Sequence, residues 1–279
     1  MKQRIVTGIV GLAVAIPILW FSYTLVFPLA LALCGGLGAF ELLRCIGEHK
    51  KPYHVVPACL FGFLMPFLTH FLYRESVNSY VLFMAICSFA LILWFFACTV
   101  FLNTENAFSK MAQVAVGTVY VTVGFVSMGL LRRMPGGEMT FGLVLVIAWG
   151  TDIAAYFSGV FLGKHKLCPK ISPKKTVEGS IGGVLGCCLL CLLYGFLAGK
   201  AFHVTPVFPS LIIGGAILSV VSQVGALAAS VIKREYGVKD YGKLLPGHGG
   251  ILDRFDSLIA VAPVLLLLCT GFSRFAFFA

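Results

Sequence analysis

The sequence predicts an all-α protein, a polytopic transmembrane helical bundle of about nine spans with its N-terminus inside and its C-terminus outside. Three observations predict this class: the composition, the long apolar stretches and the distribution of basic residues. Hydrophobic residues make up 59% of the 279-residue chain and charged residues only 11%, and the mean hydropathy is +0.97. Because soluble domains carry about 25% charged residues, the composition excludes an ordinary soluble fold.

Nine apolar stretches have the length of membrane-spanning helices, roughly 17–25 residues. In chain order they cover residues 5–24, 26–44, 54–72, 80–102, 111–131, 141–162, 180–198, 209–232 and 255–275. The first stretch is not followed by a small-residue cleavage site and a soluble domain, so we interpret it as a retained span rather than a signal peptide. The first two stretches meet at Phe27-Pro28, where the sequence leaves almost no loop.

The basic residues fall unequally on the two sides of these spans. With the N-terminus inside, 16 of the 21 Lys and Arg residues lie on the inner side and 5 on the outer side. Since cytoplasmic loops are enriched in Lys and Arg, this distribution predicts the orientation and a multi-pass protein of the cytoplasmic (inner) membrane. The net charge of +10 fits loops that face anionic lipids or anionic substrates better than it fits nucleic acid.

The ionisable residues divide the chain into two regions. Residues 1–131 have almost none within their spans and are predicted to form scaffold helices. Glycines between residues 35 and 38 would let helices approach closely, within the chain or in a homodimer. Residues 132–279 are predicted to form the catalytic region, with cytoplasmic loops at 163–180 and 233–254.

Asp152 is the first candidate site residue, because it falls near the middle of the predicted span 141–162. An ionised carboxylate within a membrane is costly without a cationic or metal partner, so such a residue indicates a functional site. A neutral Asp that packs between helices is the structural alternative.

The loop of residues 163–183, GKHKLCPKISPKKTVEGSIGG, contains five lysines and leads into the next predicted helix. Backbone N–H groups at a helix start bind anions, and neighbouring lysines strengthen such a site. The alternative is a positively charged anchor that only contacts lipid headgroups. The segment from Gly159 to Lys164 is not a phosphate-binding Walker loop, because its spacing differs and no Ser or Thr follows the Lys.

The stretch from Ser230 to Asp256, SVIKREYGVKDYGKLLPGHGGILDRFD, carries nine charged residues within 27 positions and is flanked by apolar sequence on both sides. Asp253 and Asp256 would share one helix face. Two carboxylates one turn apart suit a Mg²⁺ ion that retains water and binds phosphate oxygens. The alternative is a structural pair that Arg254 and lysines neutralise.

These segments resemble the phosphatidate cytidylyltransferases, also called CDP-diacylglycerol synthases. The long match is the stretch 230–256, and DIAAYF at 152–157 and ISPKKTVEG at 171–179 support it. The resemblance covers about residues 150–260. The first half resembles the family only in being hydrophobic.

The resemblance implies a Mg²⁺-dependent transfer of CMP from CTP to phosphatidic acid, which yields CDP-diacylglycerol and pyrophosphate, in a membrane protein of bacterial type. It leaves a place for a second cation, monovalent or divalent. The lipid phosphate would attack the α-phosphorus of CTP at the cytoplasmic boundary.

The implied site residues fall into three groups by role. The metal ligands are Asp253, Asp256 and Asp152, and the catalytic set is Asp253, Asp256, Lys233, Arg234 and Asp240. Residues implied in substrate binding are Lys174, Lys175, Thr176, Glu178, Ser230, Lys239, His248, Gly249, Gly250 and Arg254.

One position departs from the family pattern. The family carries an acidic metal ligand directly after the glycine that corresponds to Gly225, and this chain has Ala226 there. We therefore expect weakened Mg²⁺ binding and turnover in this chain.

Two other functions compete with this interpretation. A CDP-alcohol phosphotransferase would show a D-G-x2-A-R motif, which this sequence lacks. A transporter or flippase for an anionic lipid or nucleotide would place charged or broken-helix features at the midplane of both halves. In this chain only Asp152 lies deep in a span, and the two halves are unlike.

Overall fold

The computed structural model describes residues 2–72, 77–102, 107–271 and 276–278. Within them the chain forms nine helices and one short hairpin. The helices are α1 (Lys2–Trp20), α2 (Val26–Cys45), α3 (Pro52–Leu72), α4 (Val77–Leu102), α5 (Ala107–Arg133), α6 (Gly137–Leu162), α7 (Val177–Phe202), α8 (Phe208–Glu235) and α9 (Leu252–Gly271). Each predicted apolar stretch therefore coincides with one helix.

Seven helices in the described part of the chain, α2 to α8, are long and apolar enough to cross a membrane. The apolar part of α1, Thr7–Trp20, is shorter. The span count of nine and the orientation stay predictions. The five basic residues predicted on the outer side are Arg74, Arg132, Arg133, Lys200 and Arg274. Of these, Arg74 and Arg274 lie outside the described residues.

The predicted loop 163–180 contains an antiparallel hairpin, so the protein is nearly but not wholly α. Strand β1 (Lys166–Cys168) pairs with β2 (Ser172–Thr176), and Lys166 lies opposite Thr176. Strands of three and five residues are too short to produce a recognisable alternation of polar and apolar residues. The sequence therefore indicated a loop here.

The chain divides into two compact units. The first unit comprises Met1–Arg133 and Tyr236–Phe255, and the second comprises Met134–Glu235 and Asp256–Ala279. The functional division of the chain at residue 131 stays a prediction.

Close helix approach holds the first unit together. Gly35 of α2 faces Gly62 of α3, and a Cβ added at either position would overlap the other's backbone. The segment Tyr236–Phe255 is fastened to α5, because the Tyr236 hydroxyl donates to Gln113 Oε1 at 2.6 Å. The Phe125 and Phe255 rings pack with their centroids 5.2 Å apart.

The turn between α2 and α3 contains a buried charged cluster. Glu48 is 3% exposed, accepts a hydrogen bond from Lys51 Nζ at 3.0 Å and is hydrogen-bonded to His54 Nδ1 at 2.8 Å. Burial alone raises the pKa of Glu48, but the hydrogen bonds from Lys51 and His54 outweigh burial and hold the pKa below its ordinary value.

Glu48→Gln is expected to lower the free energy of unfolding at neutral pH by about 1–3 kcal/mol, because it removes a charged partner from buried donors. A carboxyl group whose pKa falls on folding stabilises fully above its unfolded pKa and stops stabilising as the pH falls through its folded pKa. Thermal unfolding of the purified protein, followed from neutral to acidic pH, should show an acid loss that Glu48→Gln reduces. Exposed Glu235→Gln is the control, and an equal acid loss in the parent and Glu48→Gln would contradict the assignment.

Small residues line the helix contacts of the second unit. Gly182 of α7 faces Ser158 of α6, and Gly186 faces Ala154, with too little space for a Cβ at either glycine. Thr151 Oγ1 of α6 donates to Ser219 Oγ of α8 at 2.9 Å, and both residues are buried. These contacts pack α6, α7 and α8 against one another.

Candidate active site

The start of α7 is held by two side chains of its own first turn. Thr176 caps the helix and accepts a hydrogen bond from the Gly179 N–H at 3.1 Å. The Glu178 carboxylate accepts hydrogen bonds from the N–H groups of Lys164 at 3.1 Å and His165 at 3.2 Å. Glu178, predicted to bind substrate, therefore fixes the segment that leads into β1.

A pocket of about 480 Å³ lies beside this helix start in the second unit. Its apolar wall includes Tyr156 and Val160, both of which are exposed on α6. Its polar lining consists of Asp152, Lys166, Lys174, Lys175, Thr176, Ser180 and Gln223. The pocket thus combines an apolar wall with several cations, which suits an amphiphilic anion.

Lys175 is the most distinctive group of this pocket. Its Nζ is buried and makes no hydrogen bond within the described part of the chain, although its charge acts on Asp152. Lys174, by contrast, is exposed. Because buried polar groups are almost always hydrogen-bonded, the Lys175 ammonium is suited to an anionic ligand.

Asp152 lines this pocket together with Lys175, and Asp256 is a second carboxylate whose charge acts on Asp152. Lys175 and Asp256 both act electrostatically on Asp152, and all three belong to the second unit. Among the described residues, no group of three or more His, Cys, Asp or Glu could hold a metal ion. Mg²⁺ is commonly bound by one or two carboxylates with water and substrate phosphates, so this pair fits Mg²⁺ without a larger protein cage.

Helix α8 carries Gln223 of the pocket lining and three predicted site residues, Ser230, Lys233 and Arg234. Gln223 exchanges hydrogen bonds with Ser180, at 2.6 Å to its Oε1 and 3.2 Å from its Nε2. Ala226, one turn later, is buried. Near the end of the helix, Arg234 Nε donates to the Ile171 carbonyl at 3.3 Å, and Lys233 is buried.

Ser230 has a local partner on the same helix. Its Oγ donates to the carbonyl of Ala226 at 2.9 Å, and it is not part of the pocket lining. Ser230 therefore lies on the same helix as Lys233 and Arg234, but its hydroxyl proton is donated to a backbone carbonyl.

A second pocket, of about 560 Å³, lies in the segment Tyr236–Phe255 of the first unit. Its lining includes five predicted residues, namely Lys239, Asp240, His248, Gly249 and Arg254. His248 Nδ1 is buried and makes no hydrogen bond within the described residues. Gly247 and Gly249 have φ values of +76° and +83°, a left-handed conformation that favours glycine, so the tight turn around His248 requires them.

Asp253 holds this pocket's loop in place. It is 8% exposed, and its Oδ2 accepts hydrogen bonds from the N–H groups of Tyr241 at 2.8 Å and Gly250 at 2.9 Å. A carboxylate oxygen that accepts two backbone N–H groups has a structural role. Metal binding by Asp253 stays a prediction.

Comparison with known proteins decides the family. The profile of the family described as "Cytidylyltransferase family" matches residues 2–272. The chain belongs to the cytidylyltransferase family. A phosphatidate cytidylyltransferase of Bacillus subtilis is 34% identical over 276 residues, which is 98% of this chain and 99% of the relative.

Two further relatives have the same name. A phosphatidate cytidylyltransferase of Pseudomonas aeruginosa is 33% identical over 96% of each chain. One of Brucella suis is 44% identical over 172 residues, 61% of each chain. The resemblance is thereby confirmed, and the match to this cytidylyltransferase family extends over nearly the whole chain rather than residues 150–260 alone.

Sequence reasoning did not single out the polar pocket residues Lys166, Ser180 and Gln223, nor Glu41, which binds the backbone beside the first-unit pocket. Glu41 of α2 is 6% exposed and accepts hydrogen bonds from the N–H groups of Ile251 at 3.1 Å and Leu252 at 3.0 Å. The signal that could have found Glu41 is its position as a carboxylate within the predicted span 26–44, the same feature that makes Asp152 a candidate.

Proposed function

We propose that the chain transfers CMP from CTP to phosphatidic acid at the cytoplasmic face of the inner membrane, and forms CDP-diacylglycerol and pyrophosphate. The observation that carries this proposal is the pocket of the second unit, where the buried Lys175 ammonium has no hydrogen-bond acceptor among the described residues. The names of the relatives support the same lipid substrate.

Phosphate binding is assigned to the lysines of this pocket. Lys175 would neutralise a phosphate within the pocket, while Lys166 and Lys174 would increase the local positive charge. The exposed Tyr156 and Val160 on its apolar wall would contact the acyl part of the lipid. Such fixed charges stabilise the extra negative charge that develops as a phosphate oxygen attacks phosphorus.

The nucleotide is assigned to the pocket of the first unit. Lys239 and Arg254 would bind its phosphates, and His248 Nδ1 would hydrogen-bond to it. Gly249 lines this pocket, whereas Gly250 does not line it and faces the Glu41 carboxylate.

Mg²⁺ is assigned to Asp152 and Asp256, whose carboxylates suit a hard cation. When bound, Mg²⁺ would neutralise phosphate charge and polarise a phosphoryl oxygen. The proposal leaves a place for a second cation, monovalent or divalent.

The test is to incubate the purified protein with cytidine-labelled CTP, phosphatidic acid and Mg²⁺ in detergent micelles. The labelled cytidine should appear in a lipid extract only when all three components are present. A cytidine label that stays in the aqueous phase, for the parent and for Ala226→Asp, would exclude CMP transfer.

Ala226→Asp is expected to raise CMP transfer by roughly tenfold or more and to lower the Mg²⁺ concentration needed for half-maximal rate, because an added carboxylate strengthens cation binding. Position 226 lies one turn from Gln223, which lines the pocket of the second unit. The matched control is Ala226→Asn, which has a similar volume but no charge. If Ala226→Asp has the same rate and the same Mg²⁺ dependence as the parent, the proposal that a carboxylate at position 226 binds the metal is contradicted.

A further inference from the structure

Glu41 is a buried carboxylate that the proposed function does not use. Its Oε1 accepts the Ile251 N–H and its Oε2 accepts the Leu252 N–H. These N–H groups lie at the start of α9. The N–H groups of a helix's first turn have no acceptor within the helix, and that end of the helix carries a partial positive charge. Glu41 therefore caps α9 from a different helix.

The loop of the first-unit pocket folds directly against this carboxylate. Gly242 and Gly250 are both buried, and a Cβ added at either position would overlap the Glu41 carboxylate oxygens. The two glycines lie on either side of the tight turn that contains His248. The carboxylate therefore contacts the backbone at both ends of that turn.

Asp253 is hydrogen-bonded to the same stretch of backbone. Its Oδ2 accepts the N–H groups of Gly250 and Tyr241. Gly250 faces Glu41 directly, and Tyr241 precedes Gly242, which also faces Glu41. The Asp253 charge also acts on Glu41. Both carboxylates contact the backbone at residues 241–242 and 250–252. A displacement of Glu41 would therefore move backbone that Asp253 also binds.

We propose that Glu41 is a positioning residue for the reaction, since it fixes the first turn of α9 and thereby the loop that carries His248 and Lys239. The inference rests on the proposed function, in which this loop binds the nucleotide. Both Glu41 oxygens accept backbone N–H groups, so Glu41 would act on the reaction through the loop.

Glu41→Gln tests the proposal, because it keeps the side-chain volume but turns an NH₂ group toward one of the two backbone donors. We expect the KM for CTP to rise by roughly tenfold and the KM for phosphatidic acid to stay at the parental value, since misplaced binding groups weaken only the substrate they contact. A general loss of stability would not separate the two KM values in this way.

Hydrogen exchange gives a second readout that needs no turnover. In Glu41→Gln the amides of Tyr241, Gly250, Ile251 and Leu252 should exchange faster than in the parent. If the parent forms no cytidine lipid but these amides respond, the proposed function fails and the positioning contact remains.

Glu48→Gln is the matched control, because Glu48 is also a buried carboxylate near α2 but binds the side chains of Lys51 and His54. Its two KM values should equal those of the parent. Gly242→Ala is a second variant in case Glu41→Gln does not fold, since its Cβ would displace the carboxylate and should raise the KM for CTP likewise. Parental KM values for CTP in the folded variants, with unchanged amide exchange, would overturn the proposal.

Discussion

Lys175→Met should lower the rate of CMP transfer by about 100- to 1,000-fold, the usual cost of removing a preorganised charge that stabilises a transition state. The Lys175 Nζ is buried in the pocket and has no hydrogen-bond partner among the described residues, so the variant leaves no buried acceptor unsatisfied. The protein should therefore fold normally, and the measured quantity is kcat/KM for phosphatidic acid.

Two neighbouring lysines are graded controls for Lys175→Met. Lys174 lines the same pocket but is exposed, and Lys170 is exposed and not part of the lining. We expect a smaller loss for Lys174→Met and almost none for Lys170→Met, since water screens exposed charges. Equal losses at all three positions would mean that only the net charge of the loop matters.

Asp256→Asn should reduce CMP transfer by about 1,000-fold and raise the Mg²⁺ concentration needed for half-maximal rate, because a neutral amide binds a hard cation weakly. Asp256 acts electrostatically on Asp152, so the loss should be similar in Asp152→Asn. The measurement is the initial rate as a function of Mg²⁺ concentration.

Asp253→Ala distinguishes the two carboxylates of α9. Because it leaves the N–H groups of Tyr241 and Gly250 without their acceptor, it should lower the free energy of unfolding by about 1–3 kcal/mol. Asp256→Asn should leave unfolding almost unchanged. An Asp256→Asn protein with the parental rate and Mg²⁺ dependence would contradict the metal assignment.

The fold was largely predictable because its cause is local. Membrane-length apolar stretches show directly in the composition, and each coincides with one of the nine helices in the described chain. The hairpin of β1 and β2 was not predictable, because two very short strands leave no clear periodicity.

The site was predictable in its residue types but less so in its contacts. Charged residues in an apolar chain are conspicuous, and the two pockets include Asp152, Lys175 and His248. The role of Glu41 depends on a contact more than 200 positions away in the chain, which no local pattern reveals. Likewise, nothing in the residue order shows that Glu178 and Asp253 bind backbone N–H groups.

The central claim is that the chain joins the α-phosphate of CTP to a lipid phosphate, and paired labels test it most directly. In parallel reactions, CTP carries its label on the α-phosphorus or on the γ-phosphorus. The account predicts that the α-label enters the lipid and the γ-label is released as pyrophosphate. A γ-label in the lipid, or both labels remaining in intact CTP, would contradict it.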